Sequence, residues 1–166
     1  MTRGLFDFGK FLGALALALM QPSAALAAPT QKARISGLSD VSFGLIVNFS
    51  VDQKNSQNIC VYSQGSSGLY RVTANGSGPG GSFVLSSGND SMPYEVQWSD
   101  VPGQATGTSL APGIPLTGLS SDAGNQNCQS GPPATASLIT ILRGSDVSVA
   151  RAGSYSGTIT LLLAPE

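Results

Sequence analysis

Histidine is absent from this sequence of 166 residues, and charge is scarce, with 8 lysines and arginines against 9 aspartates and glutamates. Without an imidazole there is no Ser–His or Cys–His nucleophile system, and no histidine-ligated metal. Charged residues make up 10% of the chain, against roughly 25% in typical soluble domains. No basic patch exists to neutralise phosphates, which argues against nucleic-acid binding. Apolar runs are short: Phe11 to Met20 is about half of the roughly 20 residues that a membrane span needs. Serine, threonine, glycine, asparagine and glutamine supply the polarity instead. A surface of this kind has little charge repulsion between copies, which suits a protein that joins a polymer.

The first residues set the compartment. Arg3 and Lys10 make a basic start, interrupted by Asp7, before the apolar run. Gln21-Pro22-Ser23 and the small-residue site Ala25-Leu26-Ala27 follow, just ahead of Ala28-Pro29. These three parts predict a secretory signal peptide over residues 1–27, with cleavage after Ala27. Residues 28–166 are then one exported domain of ordinary size, with no stable membrane anchor. In an oxidising compartment the isolated pair Cys60 and Cys128 reads as a disulfide. The ring it closes is about 70 residues long, for which chain entropy gives roughly 4 kcal/mol of stabilisation. The alternative, a two-thiol metal site, lacks further ligands.

Along residues 28–166 the recurring pattern is alternation, without helical spacing. Val41, Phe43, Leu45, Val47 and Phe49 fall on one face of an expected first strand, with Ile46 the exception on the other. Tyr70, Val72 and Ala74 alternate with polar neighbours, as do Tyr94, Val96 and Trp98. Cys60 lies in a short strand buried on both sides, and Leu138 to Leu142 is an apolar run typical of a sandwich strand. Asn75 to Gly81 and Ser86 to Asp90 are turns. Residues 99–133 are irregular, with several prolines, and the disulfide would tether them to the strand bearing Cys60. Last, Tyr155, Gly157, Ile159, Leu161 and Leu163 face one way. About seven strands and no convincing helix predict an all-β fold, an antiparallel β-sandwich of immunoglobulin-like type.

Candidates for chemistry fall away in turn. A Ser–Lys pair would need Lys32 or Lys54, both in polar stretches. Asp90, Glu95 and Asp100 imitate a glycosidase pair in residue type only, since they sit at turns or on a polar strand face. Gly76 to Gly81 resembles a phosphate loop in composition only. No catalytic, cofactor-binding or metal-ligating residue is expected. Tyr94, Trp98 and Tyr155 have the strand phase of core residues, although a sugar-stacking face is the other use for them.

The run Cys60-Val61-Tyr62-Ser63 followed by Gly68 to Gly78 (GLYRVTANGSG) resembles the spore coat protein U domain family. Pro93 to Asp100 (PYEVQWSD) and Ala152 to Leu161 (AGSYSGTITL) are similar to it in the same order, and the likeness covers residues 38–166. The resemblance implies a pilus subunit of the archaic chaperone–usher type, with an incomplete immunoglobulin-like fold that lacks its final strand. A periplasmic chaperone, and later a neighbouring pilus subunit delivered through an outer-membrane usher, would supply that strand by β-augmentation. Glu166 follows three residues after Leu163, so Tyr155, Gly157, Ile159, Leu161 and Leu163 are expected to line the partner-strand groove.

Two departures bear on this expectation. Leu38 to Phe49 lacks the cysteine that many family members carry there, which leaves Cys60–Cys128 as the expected link. Residues 28–37 offer only Ala33 and Ile35 as an alternating apolar pair, a poor strand to donate. A subunit that accepts a strand and donates none belongs at a fibre tip. The competing function is a stand-alone secreted carbohydrate-binding β-sandwich, which needs a closed fold and at least two exposed aromatics on one face.

Overall fold

The structure, a computed structural model, describes residues 31–166; the expected signal peptide lies outside them. Among the described residues ten strands form: β1 (Ala33–Ser36), β2 (Gln53–Ser63), β3 (Tyr70–Gly76), β4 (Val84–Ser87), β5 (Asp90–Pro93), β6 (Glu95–Ser99), β7 (Thr108–Ser109), β8 (Leu116–Leu119), β9 (Ala136–Leu142) and β10 (Ile159–Pro165). One short helix, α1 (Gly144–Val149), separates β9 from the approach to β10. All strand pairs are antiparallel. The main sheet has the order β1-β2-β9-β6-β7, the opposing one is β10-β3-β8, and β4-β5 is a separate hairpin. This is an antiparallel β-sandwich.

Its centre is β9, every residue of which is buried. On the inner face Ala136, Leu138 and Leu142 join the core. On the outer face Ile141 lies in register between Lys54 and Glu95, and Ile139 between Ser56 and Gln97. Long polar side chains beside a central strand cover aliphatic ones, so the apolar run needs no third layer. The two sheets meet at Trp98 of β6 and Tyr70 of β3, whose rings stand edge-to-face with centroids 6.3 Å apart. The indole Nε1 donates to the Tyr70 hydroxyl at 3.0 Å, so neither polar atom is wasted in the core. Cys60, on the outer side of β2, is bonded to Cys128 with the Cα atoms 5.9 Å apart. That link pins the connection between β8 and β9 to β2.

Three expectations are corrected. Ten strands replace about seven, because two- and four-residue ladders such as β7 and β1 are too short to show a period in the sequence. Helix α1 starts where Arg143 is clamped: its guanidinium Nε and Nη2 reach Glu95 at 2.7 and 2.6 Å, and Nη1 reaches Asp52 at 2.6 Å. Asp52 also accepts the Gly144 N–H at 3.0 Å, capping the helix from outside its own chain segment.

The third correction is the largest. Residues 41–49 form no strand. Leu45 and Val47 are 90% and 78% exposed, while Ile46, the exception to the alternation, turns inward with Phe43. The cause lies just upstream, at Gly37, whose φ of 81° turns the chain away from β2 after only four residues of β1. Beyond it the Gln57 carboxamide stands in for a backbone ladder, accepting from Ser39 N at 2.9 Å and donating to Ser39 O at 3.0 Å. Alternation fits a strand, but a strand also needs an edge to pair with.

Candidate functional site: a cleft between two unpaired strand edges

Of the strand edges that carry no ladder among the described residues, two border one opening. β1 pairs with β2 only at residues 60–63, so residues 53–58 of β2 have β9 on one side and no strand on the other. β10 is the outer strand of its sheet and pairs only with β3. At one end the gap between the sheets is closed: Gln64 N donates to Lys32 O at 2.8 Å, extending the β1–β2 ladder beside β10, and Ser66 N donates to Glu166 O at 2.8 Å, tying the chain after β2 to the end of β10. Away from that end the sandwich stays open.

The opening is a cleft of about 1210 Å³. Its floor includes Leu138, Thr140 and Leu142 of β9 with Met92 and Tyr94, its far wall is the start of β10, and residues 38–46 lie over it. The floor is apolar because the inner positions of β9 are aliphatic. The gap exists because the covering segment contributes only Val41, Phe43 and Ile46 as half-buried side chains. The cleft is therefore bordered by backbone edges that no strand of the described residues pairs with.

Of the groove residues expected from the sequence, Ile159 and Leu161 are in β10, half-buried, and line the cleft. Leu163 packs against the core and is not part of the lining. Tyr155 and Gly157 line the cleft too, but they precede β10. Their stretch crosses to the hairpin instead, with Ser86 and Ser156 exchanging backbone hydrogen bonds of 2.8 and 3.0 Å. A Cβ on Gly157 would sit 2.9 Å from Val84 O, so this crossing requires glycine. Sequence reasoning missed the contributions of Met92, Tyr94 and Thr140 to the floor, since their strand phase marks them simply as core.

The set-aside candidates do not assemble. Glu95 is held by Arg143, Asp90 lies 3.7 Å from Arg151, and Asp100 accepts from Ser120 N at 3.1 Å. Hydrogen bonds and charge from Arg143 hold the Glu95 carboxyl below its usual range; for Asp52 the Gly144 N–H is the larger cause and Arg143 the second. Among the described residues no group of three or more acidic or sulfur ligands gathers into a metal site. Phe49 is the only exposed aromatic among them, and Tyr94 and Trp98 are buried, so no two exposed aromatics share a face. No helix among these residues is long and apolar enough to cross a membrane.

The sequence matches no known family model and no curated protein. The fold is similar to that of a chain in a solved structure described as a chaperone–tip adhesin complex of CFA/I fimbriae biogenesis, with a TM-score of 0.51 and 13% identity. The match covers 82% of this chain and 41% of that one, so this chain spans well under half the length of the protein it resembles. At that identity the likeness is one of fold alone.

Proposed function

We propose that this chain is a non-enzymatic structural or adhesive subunit of a surface pilus, and that its cleft accepts a β-strand from a partner. The observation that carries the proposal is the cleft of about 1210 Å³ between the unpaired edges of β2 and β10. An open apolar edge is a pairing and aggregation hazard unless a partner fills it, and strand addition satisfies both backbone and side chains. The resemblance of residues 38–166 to the spore coat protein U domain supports the same reading. Under it, residues 1–27 direct export, a periplasmic chaperone first fills the cleft, and an outer-membrane usher hands the subunit to a neighbour at the cell surface.

Residues 33–36, which carry the alternating pair Ala33 and Ile35, are docked on their own β2 and so are not free to donate. Residues 41–49 are tethered at both ends, by β1 and β2. Accepting without donating supports a position at the tip. In the natural host, Ile159→Asp is expected to abolish capture by the chaperone, lower the periplasmic level and remove the subunit from the surface. Normal secretion and assembly of that variant would overturn the proposal.

A further inference from the structure

The cleft floor holds a polar group without a partner. Tyr94 is 7% exposed, and its hydroxyl is shut off from solvent with no hydrogen bond among the described residues. The ring is fixed: it packs on Phe83 with centroids 5.6 Å apart, and Tyr94 N donates to Phe83 O at 3.0 Å. Tyr94 belongs to the hydrophobic core of the sandwich, and the cleft it lines also has Leu85, Met92, Leu138 and Leu142, with Thr140 a polar side chain of the lining. The Thr140 hydroxyl is itself turned to Asn55 O, at 3.4 Å. Two other tyrosines of this chain have partners: Tyr70 accepts from Trp98, and the Tyr155 hydroxyl donates to Arg151 O at 3.0 Å.

A buried hydroxyl left unpaired costs the folded state free energy that a phenylalanine of the same shape would not. Its presence in a residue that lines the cleft is accounted for if the occupant, on displacing residues 38–46, brings the missing partner. We propose that Tyr94 selects the strand that fills the cleft, requiring one neutral polar side chain (Ser, Thr, Asn or Gln) among that strand's inward-facing apolar residues. The inference rests on reading the cleft as a strand acceptor. A charged group is disfavoured there because the surroundings of Tyr94 are apolar and would not repay its desolvation. Inward side chains of a strand recur about every 7 Å, so one position in the occupant faces Tyr94 and the preference is specific to it.

The test uses the exported, disulfide-bonded chain and acetylated nonapeptides that alternate valine and lysine, with each inward valine replaced in turn by its isostere threonine. One replacement is expected to bind at least tenfold more tightly than the all-valine peptide. In Tyr94→Phe that preference should fall below twofold, while the variant melts no lower than the parent. Binding that Ile159→Asp weakens, but in which no position shows a preference removed by Tyr94→Phe, overturns this inference and leaves the strand-acceptor reading intact. No binding by any peptide, or binding that Ile159→Asp leaves unchanged, overturns both.

Discussion

Leu161 and Leu162 are neighbours on β10, yet the strand places them on opposite faces. Leu161 is half-buried and lines the cleft, whereas Leu162 is 65% exposed. Complete burial of a leucine side chain is worth roughly 1.5–3 kcal/mol, and about half of that is already gained in the unfilled cleft. Strand entry would therefore gain roughly 1 kcal/mol from Leu161. An aspartate there forfeits that gain and must also be desolvated, for about 2 kcal/mol or more. The sum, about 3 kcal/mol, corresponds to a loss of at least 100-fold in affinity for an alternating-valine peptide. Leu162→Asp changes only solvent-facing surface and should cost less than threefold, with a stability change within about 0.5 kcal/mol. Titration of both variants with the same peptide, beside thermal melts of the free chains, separates the two faces. Affinities for the two variants within threefold of each other would refute the argument.

Replacing Cys60 and Cys128 together by serine opens a ring with a sequence separation of 68; urea unfolding is expected to show a loss of roughly 4 kcal/mol, and a loss below about 1 kcal/mol would contradict the chain-entropy account. The carboxyls of Asp52 and Glu95 are held below their ordinary values of 3.8 and 4.5, so their contribution is fully present above those values and is lost as pH falls through the lower folded ones. Arg143→Gln should flatten the fall in urea midpoint between about pH 7 and about pH 3, and an unchanged pH dependence would show that the clamp contributes nothing. Leu45→Ser and Val47→Ser are expected to alter stability by less than about 0.5 kcal/mol despite their strand-like pattern, whereas Phe43→Ser should cost about 1–2 kcal/mol in the same melts.

The sandwich was legible where a strand is central or half-buried over several residues. β3 and β6 show clean alternation in both pattern and burial, and the aliphatic run of β9 marks a strand enclosed on both faces. Residues 41–49 misled for a physical reason, since the sequence records which side chains would suit a strand but not whether an edge is available. Gly37 carried part of the signal, because a glycine ending a short alternating run permits the positive φ that ends β1. Helix α1 was not legible: six residues carry no period, and the clamp that starts it joins Asp52, Glu95 and Arg143 from distant parts of the chain. In the candidate site, Ile159 and Leu161 were readable from strand phase, whereas the floor depended on which sheet edges stay open.

The position of the opening is written along β2. Its inward side chains run Gln53, Asn55, Gln57 and then Ile59, Val61. Where they are apolar the outer edge is covered, because β1 pairs with residues 60–63; where they are amides it is bare. An amide side chain on an inner face resists closure, since a wholly apolar cover would strand its donors and acceptors. In the unfilled state the covering segment answers one of them, as Gln57 bonds to Ser39 N and Ser39 O, while Gln53 turns to Val51 O at 3.1 Å. A strand that displaced this cover would have to replace the Gln57 bonds as well as supply apolar surface to Leu138 and Leu161. Free backbone groups along one edge of such a strand can meet Gln57. The Tyr94 hydroxyl, closed to solvent beneath the present cover, would need a side chain of the occupant as its partner. An occupant built of aliphatic residues alone would therefore fill the volume and still leave polar atoms unpaired, and under the strand-acceptor proposal that difference would let the cleft discriminate among strands of equal hydrophobicity.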